Sequence, residues 1–172
     1  TIRVGTSLLF PCRALINLWY LVSAKYPHFK LKIVPYEDNY NQEPSITQML
    51  GGKIDFMVGP CGSARWLSQF NFFQLGTFKI CCAVPRSHPL ASKSILEPED
   101  FLGERLMLVK EGDSEVIDRI RSYLLTNYPG VQLIDTPFYY DAEVFNRCEQ
   151  EGNLLLSLEE WADVHPLSLI HI

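Results

Sequence analysis

The alternation of two hydrophobic periods across the first sixty residues limits how this chain can fold more than any other feature. Ile2 to Thr6 alternates apolar with small or polar residues, the period of a strand. Pro11 suits a first helical position, and Leu15, Leu18, Trp19, Val22 and Tyr26 then recur at helical spacing until Pro27 stops the helix. Leu31 to Val34 is a second short strand. Pro44 opens another helix, with Ile46, Met49 and Leu50 on one face and Gly51 as its terminator. Ile54 to Val58 then forms an apolar run, as a buried parallel strand requires. Strand, helix, strand, helix, strand in this order implies an α/β lobe on a largely parallel sheet.

The second half repeats the theme. Phe72 to Val84 reads as a long strand-rich segment ending at Pro85 and connecting two lobes. Leu106 to Val109 is a strand, and Glu115 to Thr126 a helix with Val116, Ile120 and Tyr123 facing inward. Val131 to Ile134 is a strand, Asp141 caps a helix that ends before Gly152, and Asn153 to Leu156 is the next strand. Glu159 to Ala162 forms one more helical turn, and Leu167 to Ile172 a strand heading back to the first lobe. Charge divides along the same line. Thr1 to Lys79 carries 8 Lys and Arg against 4 Asp and Glu, whereas Ile80 to Ile172 carries 7 against 16.

Composition excludes several classes. With 47% apolar and 20% charged residues the chain is globular rather than disordered. No apolar run approaches the roughly 20 residues that span a bilayer, and the first residues carry no signal-peptide pattern. Cys12, Cys61, Cys81, Cys82 and Cys148 are odd in number and lack metal-ligand spacing, which points to reduced thiols in a cytoplasmic protein. A net charge of −5 argues against this segment gripping nucleic acid by itself. His28, His88, His165 and His171 are scattered, and no nucleophile elbow, phosphate loop or dinucleotide fingerprint occurs. Neither catalysis, a metal nor a cofactor is expected. The adjacent Cys81 and Cys82 sit in an apolar strand with side chains on opposite faces, and read as buried small hydrophobes rather than a redox pair.

Five segments in order carry a family resemblance: Ile2-Arg3-Val4-Gly5-Thr6-Ser7, Tyr26-Pro27, Gly51-Gly52-Lys53-Ile54-Asp55-Phe56, Pro85-Arg86-Ser87-His88-Pro89-Leu90-Ala91 and Glu99-Asp100-Phe101-Leu102-Gly103. Together they resemble the effector-binding domain of LysR-type transcriptional regulators. The resemblance implies two Rossmann-like α/β lobes joined by two crossover segments, as in type 2 periplasmic binding proteins. Lobe I is then 1–79, completed by 166–172, and lobe II is 80–165, including the crossover strand 79–85. It further implies a homodimer or higher homo-oligomer, built from the helix at Pro11 to Lys25 of one subunit and that at Glu115 to Thr126 of another. DNA would be bound only through an N-terminal winged helix-turn-helix, absent from these residues. Such domains continue past His165-Pro166-Leu167 with a strand and a closing helix, so the C-terminal part of the first lobe is expected to be truncated. The rival of the same fold is the solute-binding protein of a transporter.

A ligand of an open α/β sheet sits beyond the carboxyl ends of the strands, near helix N-termini. Thr6, Ser7, Leu8 and Phe10 follow the first strand; Gly112, Asp113 and Ser114 follow a strand of the second lobe. The hydroxyls of Ser7 and Ser114 either cap their helices or reach a small-molecule effector, and the resemblance favours the second role. Pro60 and Cys61 would line a third wall, and Tyr139 and Tyr140 a fourth, unless one tyrosine packs into the core. Cys82 would border the cleft at the crossover. Glu111, Asp113 and Glu115 either favour a helix dipole or turn inward and select a neutral, zwitterionic or cationic ligand.

Overall fold

The computed structural model describes residues 1–38 and 49–172. The helix expected from Pro44, with Ile46, lies outside the described residues except for its end at Met49 and Leu50. The chain forms two compact units, Thr1–Pro60 and Cys61–Ile172.

In the first unit β1 (Ile2–Thr6) lies between β2 (Leu31–Pro35) and β3 (Phe56–Met57), both parallel to it. Val4, opposite Ile33 and Phe56, is fully buried. The strand expected over Ile54 to Val58 is therefore only two residues long, preceded by a lone bridge between Leu50 and Ile54. The reason is local: the amides of Gly52, Lys53 and Ile54 all donate to the Met49 carbonyl, which winds this stretch into a turn. Asp55 is then committed to β1. Its carboxylate accepts the Arg3 amide at 2.7 Å and Nε at 3.1 Å, while the Arg3 guanidinium also donates to the Gly52 carbonyl. Those bonds hold the Asp55 carboxyl down at about 2.

Helix α1 (Arg13–Val22) continues as a 3-10 turn over Ser23–Lys25. Pro11 is not its first residue, because Cys12 intervenes as N-cap in the left-handed region at φ 48°. None of the ten α1 residues is buried.

The second unit holds a five-stranded sheet in the order β6-β5-β7-β4-β8, made of β4 (Ile80–Val84), β5 (Arg105–Val109), β6 (Gln132–Thr136), β7 (Leu154–Leu158) and β8 (Ser168–His171). β6, β5 and β7 are parallel, whereas β4 runs antiparallel to both its neighbours. Three helices accompany them: α2 (Ala64–Gln69), α3 (Glu115–Asn127) and α4 (Ala142–Glu151). One face of the sheet packs Cys82, Val84, Leu106, Leu108, Leu154 and Leu156 against Leu96, Phe101 and Leu124.

The structure corrects further expectations. The strand in 72–84 begins only at Ile80, and Phe72, Phe73 and Leu75 ahead of it are exposed. Residues 166–172 belong with the second unit rather than completing the first, since β8 pairs with β4 in the register Cys82 to Ile170. Residues 61–79 also fall in the second unit, and within them α2 is an element that the sequence pattern does not predict. On α3 the inward stripe is Ile117, Ile120 and Leu124 with Arg121, whereas Val116 and Tyr123 face solvent. Arg121 can occupy that stripe because its guanidinium donates to the Val109 carbonyl at 2.9 Å and to Asp135 at 2.7 Å.

The caps on α4 are as expected. The Asp141 carboxylate accepts the Val144 amide at 3.1 Å, and Gly152 closes the helix at φ 67°. His88 explains why Pro85 to Ala91 reads as a motif. Its Nδ1 accepts the Leu90 amide at 3.2 Å, so its proton sits on Nε2 and is donated to Glu104 across 3.2 Å.

Candidate ligand-binding loops

In the first unit the loop after β1 is closed by its own polar groups. The Ser7 amide donates to the Phe10 carbonyl at 3.0 Å, and Ser7 Oγ accepts the Phe10 amide at 3.0 Å. Thr6 Oγ1 donates to the same Phe10 carbonyl at 3.2 Å. The Leu9 amide donates to Asp38 Oδ2 at 3.0 Å, and Asp38 Oδ1 is buried with no hydrogen-bond partner among the described residues. Leu9 is buried while Leu8 is exposed, so the loop presents Leu8 and the Ser7 edge outward. Tyr36 donates its hydroxyl to Met57 Sδ at 3.1 Å, and burial pushes that hydroxyl up, so it stays protonated near neutrality.

Phe10 is a packing residue rather than a wall open to ligand. Its ring rests directly on Gly59, where an added Cβ would fall 2.0 Å from a ring carbon. Only glycine allows that approach. Pro60 is half-buried at the end of the unit.

In the second unit the loop after β5 turns at Gly112, whose φ of +106° suits glycine alone. The Gly112 amide donates to the Asp118 carboxylate at 3.2 Å. Asp113 is buried and faces the start of α2. Its carbonyl accepts the Ala64 amide at 2.7 Å and its Oδ1 the Arg65 amide at 3.1 Å. Ser63 completes this end by accepting the Trp66 amide at 3.3 Å. Glu115 is exposed beside Arg119 at 4.0 Å. Asp113 and Asp118 are thus committed to a helix start and a turn.

Ser114 is the N-cap of α3, yet its side chain makes no capping bond. It is buried, and its Oγ faces Gly62, 3.1 Å from where a Cβ would stand. Nearby, the hydroxyls of Ser63 and Tyr139 are 3.5 Å apart, and the Tyr139 ring lies 5.1 Å from Trp66. Phe138 is flanked by two cations, Lys110 Nζ at 4.0 Å and the Arg65 guanidinium at 5.1 Å. A hollow of about 350 Å³ opens beside the first turn of α3, lined by Ala64, Gly112, Asp113 and Glu115 among others.

The second unit therefore brings Gly112, Asp113, Ser114 and Tyr139 to one neighbourhood, with Cys61 exposed just ahead of it. Tyr140 and Cys82 stand elsewhere, in the core. Tyr140 donates its hydroxyl to the Leu156 carbonyl at 2.8 Å and packs edge-on against Phe145. Cys82 is fully buried, and burial pushes its thiol up. Cys148 is likewise buried, its thiol pushed up to about 12. Ser63, Arg65, Trp66, Lys110 and Phe138 join this neighbourhood without having stood out in the sequence. A signal was available for the first three: a serine directly before Ala64-Arg65-Trp66, with Trp66 and Phe70 one helical turn apart.

No family model matches the chain. Over 100 residues, 56% of this chain, it is 31% identical to the transcriptional activator protein LysR of Escherichia coli K12. The chain spans 30% of that relative's length. Among solved structures, the effector-binding domain of QuiR in complex with shikimate matches 99% of this chain and 79% of its own, with TM-score 0.60 at 11% identity. HinK, a LysR family transcriptional regulator from Pseudomonas aeruginosa, matches over 99% and 57% with TM-score 0.55 at 15% identity. The regulatory domain of CcmR from Synechocystis PCC6803, in complex with 2-PG, matches over 99% and 78% with TM-score 0.51 at 13% identity. The chain is thus similar over the aligned stretch to a LysR regulator, and over nearly its whole length it shares the periplasmic-binding-protein-like α/β fold of LysR-type effector-binding domains.

Proposed function

We propose that this chain is the ligand-sensing part of a LysR-type transcriptional regulator, binding a small metabolite on the loops that follow its parallel strands. The observation that carries the reading is Ser114. It heads a thirteen-residue helix with no capping bond from its side chain, beside the hydroxyls of Ser63 and Tyr139. A helix start left open beside hydroxyls suits the oxygen atoms of a small polar ligand. In the second unit Cys61, Gly112, Asp113 and Tyr139 complete the proposed set, with Lys110 and Arg65 adding positive charge nearby; in the first unit Ser7, Leu8 and Pro60 form a proposed loop of their own.

In the whole protein, DNA would be contacted by a winged helix-turn-helix outside these residues. Effector binding would shift the balance between two arrangements of an oligomer, which requires unequal affinity for the two. The uncovered apolar side of α1, with Ile16, Leu18 and Leu21 exposed, supports a homo-oligomer, as do Val116 and Tyr123 on α3. A cytoplasmic location and the absence of catalysis follow from the same reading. The likeness to regulators favours it over a transporter's solute-binding protein. Among the described residues no helix is long and apolar enough to cross a membrane.

A thermal-shift screen of this chain against carboxylic acids, amino acids, sugars and amines tests the proposal. A ligand at a hundred times its dissociation constant adds about 2.7 kcal/mol. The expected result is at least one hit that Ser114→Ala weakens while the unliganded melting point holds. A folded chain without a hit, or hits indifferent to Ser114, would overturn it.

A further inference from the structure

We propose that His88 is a proton-operated latch in the second unit. Uptake of one proton at Nδ1 frees the turn after β4, while the ring stays tied to the entry of β5. A neutral imidazole has one donor and one acceptor nitrogen, whereas an imidazolium has two donors. Both nitrogens of His88 are in use, and in opposite senses. Nδ1 accepts the Leu90 amide at 3.2 Å, and Nε2 donates to Glu104 at 3.2 Å. The side chain is only 11% exposed, so solvent is poorly placed to replace a lost partner.

The two partners respond to that proton in opposite ways. Protonated Nδ1 turns an N–H toward the Leu90 N–H, and that hydrogen bond is lost. The contact between Nε2 and Glu104 becomes a charge-assisted pair and tightens. The segment released is the 3-10 turn Pro89–Ser92, which Nδ1 caps and which packs Leu90 and Ala91 against the core of the sheet. Its other bonds do not involve the ring. The Ala91 amide donates to the His88 carbonyl at 2.9 Å and the Lys93 amide to the Leu90 carbonyl at 3.1 Å, so the turn loosens at Leu90 rather than unfolding. Neighbouring charges do not compete for the imidazole: Arg86 is exposed, and Lys93 is paired with Asp100 at 2.5 Å. Glu104 is the charged group at the ring among the described residues. The latch is separate from the proposed effector loops and does not depend on them.

The test is a pH titration of isotope-labelled chain, read at the His88 ring nitrogens and by amide hydrogen exchange corrected for its intrinsic rate. Between about pH 8 and about pH 5, protection of the Leu90 amide falls about fivefold while that of Leu106 in β5 holds. His88→Asn offers an amide oxygen near the place of Nδ1 and has no proton to take up, so Leu90 stays protected throughout. Glu104→Gln removes the charge that favours the imidazolium, so the fall moves to lower pH. If His88→Asn does not fold, the wild-type ring nitrogens and Glu104→Gln decide. A proton on Nδ1 already at about pH 8, Leu90 protection indifferent to pH, or the same fall in His88→Asn would each overturn the latch. So would a fall that Glu104→Gln leaves in place.

Discussion

Helices α1 and α4 are both ten residues long and contrast in an instructive way. α1 reads Arg-Ala-Leu-Ile-Asn-Leu-Trp-Tyr-Leu-Val and buries none of its residues; α4 reads Ala-Glu-Val-Phe-Asn-Arg-Cys-Glu-Gln-Glu and buries Val144, Phe145 and Cys148. The more apolar helix is the more exposed. What decides burial is the surface offered by the unit: a three-stranded sheet ending in a two-residue strand for α1, a five-stranded sheet for α4. The described residues of its unit leave the apolar area of α1 uncovered.

Substitutions sharpen that contrast. Phe145→Ala should cost about 3 to 5 kcal/mol in chemical denaturation, because its ring is fully enclosed by Tyr140, Trp161 and His165. A cost under 1 kcal/mol would mean that the second unit is no better packed than the first. Gly59→Ala should cost about 1 to 3 kcal/mol by overpacking against Phe10, and Phe10→Leu in the same chain should recover part of it. Asp141→Ala should cost about 1 kcal/mol through loss of the α4 cap. Leu21→Ser on α1, a residue 75% exposed, should change stability by less than about 0.5 kcal/mol. The same change should reduce self-association in sedimentation.

Acid acts on the first unit through Asp55. Asp55 titrates at about 2 when folded, below its ordinary value of 3.8, because Arg3 binds the charged form. A depressed carboxyl contributes stability that is present above the ordinary value and lost as pH falls through the folded one. Amide signals of β1 should therefore weaken between about pH 4 and pH 2, and Asp55→Asn should remove that step.

Most of the fold was legible because the elements announce themselves locally. Asp141 and Gly152 bracket α4 at the expected positions, since cap chemistry depends only on neighbouring atoms. The misreadings came where tertiary contacts decide. Val116 and Tyr123 share a helical stripe by spacing, but the neighbouring stripe with Arg121 is the buried one, because Val109 and Asp135 both accept from one terminal nitrogen of the guanidinium. No local signal shows that Leu167 to Ile172 would pair with β4. Around the loops, Asp113 was legible as an acid near a helix start, but the start it caps belongs to α2, 48 residues away in sequence.

Whether the loop after β5 senses a ligand can be asked directly. A hit from the thermal-shift screen should be titrated into labelled chain and followed at every assigned amide. A ligand held at the start of α3 predicts saturable shifts with one dissociation constant across Gly112 to Ser114. A hit that leaves these amides unshifted would contradict it.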